Sequence, residues 1–73
     1  MMPLTFAKRG EKSLIRKIGG RDETKRHLHN LGFIEGQEVS VVSENAGNLI
    51  VSVKESRIAI SKEMANRIVV ENI

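Results

Sequence analysis

Chemistry in this chain would have to come from few groups. His27 and His29 are its only imidazoles, and it has no cysteine. An imidazole can act as a general base near neutral pH or as a metal ligand. Two residues apart on a helix, however, the rings point about 200° from each other and do not chelate one ion together. The helical zinc spacing is i, i+4. A tight metal site in the monomer is therefore not expected, and the sequence assigns no metal ligand. Either ring with one or two carboxylates would make only a weak ferrous or other transition-metal site. The absence of thiols excludes disulfides, thiolate zinc and iron–sulfur ligation. No serine lies in a nucleophile-elbow pattern. Gly19-Gly20 stands before a helical segment, as anion-cradling loops do. It lacks the further glycines and the lysine of a phosphate loop, and reads as a strand-to-helix turn. The expectation is a protein that is not an enzyme.

What the chain does have is charge. Twelve Lys and Arg stand against nine Asp and Glu, for a net charge of +3 over 73 residues. The distribution is uneven. Residues 1–26 hold eight cations and three carboxylates, a local charge of +5, and the remainder holds −2. A basic first third suits an acidic partner, a phosphate backbone or an anionic membrane face. Barrel-type binders of single-stranded nucleic acid also stack bases on aromatic side chains. Here the only aromatics are Phe6 and Phe33, both in apolar contexts that read as core. A small basic nucleic-acid-binding barrel is thus an alternative reading, and one that lacks its stacking surface.

The elements that would position these groups follow from periodicity and punctuation. Leu4 and Phe6 precede a turn at Lys8–Glu11. Ser13–Ile18 is a strand candidate whose alternation Ile15 breaks, which predicts a bulge or burial on both sides. From Asp22 to Leu31 the period lengthens. Thr24, Leu28 and Leu31 fall on one helical face with His27 packed half-buried beside them, while Lys25, Arg26, His29 and Asn30 point elsewhere. Asp22 is the expected N-cap and Gly32 the left-handed C-terminal cap. After Gly36 the period becomes two. Val39 and Val41 lead to a turn at Glu44–Asn48, then Leu49, Val51 and Val53 alternate with polar or outward positions. Glu55-Ser56 turns the chain into Arg57–Ile60. Ser61 caps a single helical turn through Met64-Ala65, and Ile68–Val70 ends the pattern. Five short strands and one helix in one domain, residues 1–73, predict a mainly β fold, a small barrel whose closure hides its edges. No apolar run approaches the roughly 20 residues that span a bilayer. The first residues lack the form of a signal peptide, so a cytoplasmic chain without membrane insertion is expected.

Three segments carry a family resemblance. Arg26–Val39, with Leu31-Gly32-Phe33 closing the helix and Gly36 before a strand, resembles the signature of the ferrous-iron transport protein A family, FeoA. Ile58–Ala65 followed by Ile68-Val69-Val70 looks like that family's ending. Pro3-Leu4 with Gly10 and a strand fits its opening. The match spans nearly the whole chain and leaves no segment for another domain. Two positions depart from the pattern: Glu35 stands where many members have Pro, and His29 where many have Leu. The resemblance implies an SH3-like β-barrel in the cytoplasm. It also implies an accessory role beside FeoB, the membrane ferrous-iron transporter with a GTP-binding domain. A metal-responsive module, in which ferrous ion biases docking, is a further alternative. On the docking reading the contact residues are the helix face and the step after it, Lys25, Arg26, His29, Phe33 and Ile34, with Arg57 as a second candidate. Oligomeric state is left open by the sequence.

Overall fold

A computed structural model describes residues 1–73. Six strands form one antiparallel sheet: β1 (Met2–Pro3), β2 (Lys12–Ile18), β3 (Glu38–Asn45), β4 (Asn48–Val53), β5 (Ser56–Ser61) and β6 (Ile68–Asn72). Helix α1 (Asp22–Leu31) lies in the β2–β3 connection, and the four-residue α2 (Lys62–Ala65) joins β5 to β6. The spatial order is β1-β6-β2-β3-β4-β5. The fold class is as expected, with a two-residue strand added at the start. So short a strand leaves no periodicity to read.

The sheet wraps a single core of fourteen buried apolar residues, including Leu4, Ile15, Leu28, Phe33, Val51 and Val70. Period-two alternation places them: β4 buries Leu49, Val51 and Val53 and turns Ile50 and Ser52 outward. In β2 the register against β6 shifts between Ile15 and Lys17. That bulge is the physical reason the alternation breaks at Ile15, as one extra residue flips the phase of all that follow.

Four local expectations are corrected. Phe6, expected in the core, lies in a 3-10 helix, Leu4–Phe6. At about 120° per residue, Leu4 and Phe6 no longer share a face. Leu4 is buried and Phe6 is 72% exposed, so Phe6 is not core. The N-cap of α1 is Arg21, with extended backbone and no side-chain cap bond. Asp22 is already helical, so its carboxylate helps through the helix dipole instead. His27 is exposed, because the apolar stripe of α1 is narrow: only Leu28 is fully buried. Finally, the strand order ends in β1 and β5 with no ladder between them, so two edges remain.

Candidate functional site

The predicted contact residues cluster where α1 ends, and a chain of backbone hydrogen bonds fixes them there. Gly32 takes φ 108° and its N–H donates to the His29 carbonyl at 3.0 Å. The Phe33 N–H donates to the Leu28 carbonyl at 2.9 Å. These paired bonds form a Schellman cap, and the apolar contact such caps favour is supplied by buried Leu28 and Phe33. Phe33 is fully buried. It anchors the step from inside and is removed from the set of surface contacts.

The chain then reverses at once. The Gln37 N–H donates to the Ile34 carbonyl at 2.9 Å, and Gly36 has φ 88°. That is the geometry of a type II turn, which needs a positive φ at its third residue. The turn is pinned to β2: the Gly36 N–H donates to the Ile15 carbonyl at 2.7 Å and the Ile15 N–H to the Gln37 carbonyl at 2.9 Å. Ile34, between the two reversals, is left 40% exposed.

Polar groups flank it along the chain. Lys25 and Arg26 stand one turn before His29 on α1, all three exposed. Neither Lys25 nor Arg26 has a carboxylate within ion-pair distance. His29 Nε2 donates to Glu35 Oε1 at 3.3 Å. The Glu35 carboxyl is held below its ordinary range chiefly by its own backbone N–H, against a desolvation cost. His29 and the charge of Lys25 lower it further. The Glu35 contact was not legible as a pair, since a spacing of six is not a helical one. It exists only because the chain reverses at Gly32.

Arg57 lies elsewhere on the sheet, exposed on β5, with no hydrogen bond or ion pair to the helix residues. In the basic first third, Lys12 is paired with Glu38 at 3.5 Å and Arg16 with Glu71 at 2.5 Å. No three of the His, Asp and Glu side chains gather into a group that could hold a metal ion. The arrangement offers recognition chemistry: an exposed apolar side chain and one hydrogen-bonded His–Glu pair on a rigid step, with two exposed cations on the helix that leads to it.

An antiparallel sheet of this order, with a helix in its first long connection and a helical turn before the last strand, defines a small SH3-like barrel. The chain belongs to the FeoA domain family, whose model matches residues 2–72. A relative from Methanocaldococcus jannaschii named "Putative Fe(2+) transport protein A" is 36% identical over 72 residues, covering 99% of this chain and 88% of its own. Among solved structures, an iron uptake regulatory protein (FeoA) matches with a TM-score of 0.90 and 30% identity, over 99% of this chain and 96% of that one. The FeoA of Stenotrophomonas maltophilia, a prokaryotic SH3 domain protein complexed with zinc, matches with a TM-score of 0.84 and 27% identity. That match covers 97% of this chain and 91% of the other. No helix of this chain is long and apolar enough to cross a membrane.

Proposed function

We propose that this protein serves ferrous-iron transport as a non-enzymatic docking module. Its partner is the cytoplasmic GTP-binding domain of a FeoB-type membrane transporter, and it acts in the cytoplasm. Iron is the transporter's cargo in this reading and not a resident cofactor of the barrel. The observation that carries the proposal is the step after α1. Exposed Ile34 is held between two hydrogen-bonded reversals, next in the chain to the His29–Glu35 pair and to a helix that carries the exposed, unpaired cations Lys25 and Arg26.

The physics of such a surface is that of a small hot spot. A central apolar side chain excludes water, and the surrounding charges set orientation and on-rate more than affinity. Because Phe33 is buried in the core and the type II turn is hydrogen-bonded to β2, little backbone entropy is lost when a partner binds. Arg57 supplies a second positive contact on the sheet. The family of the chain and its relative named for Fe(2+) transport support the pathway.

The test is a pull-down of the transporter's GTP-binding domain, with and without ferrous ion. Capture in both conditions is expected. Capture in neither would sink the docking reading, and capture only with ferrous ion would replace it by the metal-responsive one.

A further inference from the structure

The two sheet edges are defended unequally. An edge strand presents unpaired N–H and C=O groups, and proteins block such edges with short strands, prolines, bulges or inward charges. Edge strand β1 has two residues, one of them Pro3, which has no N–H to offer. Edge strand β5 has six residues, Ser56–Ser61, no proline, and an unbroken register against β4. Its inward positions, Ile58 and Ile60, carry no charge.

The hairpin geometry says which groups are free. Val53 and Ser56 pair across a two-residue turn, and the pair closing such a turn exchanges hydrogen bonds. Alternation then aims the backbone groups of Ile58 and Ile60 at β4 and those of Arg57 and Ala59 outward. No loop or turn segment donates to or accepts from Arg57 or Ala59.

Side chains specify the occupant. On the solvent face, Lys12, Ser40, Ser52 and Arg57 are directly opposite one another across β2, β3, β4 and β5. Lys12 is paired with Glu38, whereas Arg57, at the open end of the row, has no carboxylate. A strand added beyond β5 would place a side chain directly opposite Arg57, where an opposite charge is favourable. On the other face it would meet half-buried Ile58. We propose that β5 is a strand-addition site for an extended partner segment that alternates acidic and apolar residues. The ladder is made by the N–H and C=O groups of Arg57 and Ala59, and Arg57 pairs with the acidic residue. Sheet-edge addition of this kind takes affinity from main-chain bonds and specificity from alternate side chains. This site uses the sheet edge and stands independently of docking by the α1 step.

The experiment is amide exchange by NMR on the full chain with a capped hexapeptide alternating valine and glutamate. Exchange at Arg57 and Ala59 is expected to slow at least tenfold at saturation. Ala59→Pro removes an outward N–H and should abolish the protection. Arg57→Glu leaves every backbone group in place, so it should reject the glutamate peptide and accept the valine–lysine analogue. The proposal is overturned by unchanged exchange at both residues, or by equal protection of the parent from the lysine peptide. It is also overturned if both amides are already protected in the chain alone and the protein sediments as a dimer, because the occupant is then a second copy.

Discussion

His29 Nε2 lies 3.3 Å from Glu35 Oε1, joining the last turn of α1 to the type II turn that follows it. The Glu35 end of this contact makes a testable statement about pH, through its own backbone N–H first and His29 second. The Glu35 carboxyl titrates below its ordinary value of 4.5 in the folded protein. A depressed folded-state pKa adds stability above the unfolded value, and this is lost as pH falls through the folded one. Acid should therefore lower the melting temperature of the parent more steeply than that of Glu35→Gln, in the window below about pH 4.5. Parallel melting curves down to pH 3 would mean the pair adds nothing, as exposed pairs often do not.

Proline at the same position separates the turn from the pair. The second residue of a type II turn has the φ that proline fixes, and no backbone carbonyl accepts from the Glu35 N–H. Glu35→Pro should raise stability by about 0.4–1 kcal/mol at neutral pH through the unfolded chain, and should flatten the acid dependence. Chemical denaturation at pH 7 and pH 3 reads both effects. A loss of stability at pH 7 would show that the interactions of the Glu35 carboxylate with its own N–H and with His29 together outweigh the entropy term.

The cap demands a buried anchor. Leu28 is fully buried beside Phe33 in the Schellman cap. Leu28→Ala should cost about 2–5 kcal/mol, enough to unfold much of a domain this small. A denaturation midpoint that corresponds to less than about 1 kcal/mol would mean that α1 is not held by its apolar stripe.

The β3–β4 hairpin has room for improvement. Ala46 and Gly47 form its two-residue turn with φ of 46° and 87°. That backbone suits Asn-Gly, while a left-handed alanine costs roughly 1–2 kcal/mol. Ala46→Asn should stabilise the domain by up to about 1 kcal/mol, and Gly47→Val should destabilise it by at least as much. Thermal melts of the two variants should move in opposite directions.

Much of this frame was legible in the residues themselves. Ser61 reads as a cap, and its Oγ accepts from the Met64 N–H at 3.2 Å. Gly32 reads as a left-handed terminus, and Asn45–Asn48 as a hairpin, because each is decided by neighbours in sequence. What could not be read depends on contacts made at a distance. Phe6 is apolar with apolar neighbours, and only the 3-10 turn directs it outward. The His29–Glu35 contact arises from a reversal whose geometry Gly32 and Gly36 set together, whereas the burial of Phe33 follows its apolar context in the sequence. The open edge at β5 follows from strand order, which no local pattern encodes.

Metal affinity follows from donor geometry. A tight site needs three or four convergent ligands, and the α1 end offers one imidazole and one carboxylate. Ferrous or zinc ion should bind the tag-free monomer no tighter than about micromolar, near −8 kcal/mol. Titration calorimetry checks this. A stoichiometric sub-micromolar site lost in His29→Ala would raise the metal-responsive reading above simple docking.

The central claim is that the step after α1 is the docking surface. Calorimetric titration of the transporter's GTP-binding domain with the parent, Ile34→Asp and the Lys25→Glu/Arg26→Glu double variant tests it most directly. All three positions are exposed, so the variants should melt as the parent does. The account predicts at least tenfold weaker binding for both, a loss of about 1.4 kcal/mol or more each. Parent-like affinity in both, with the fold intact, would contradict it.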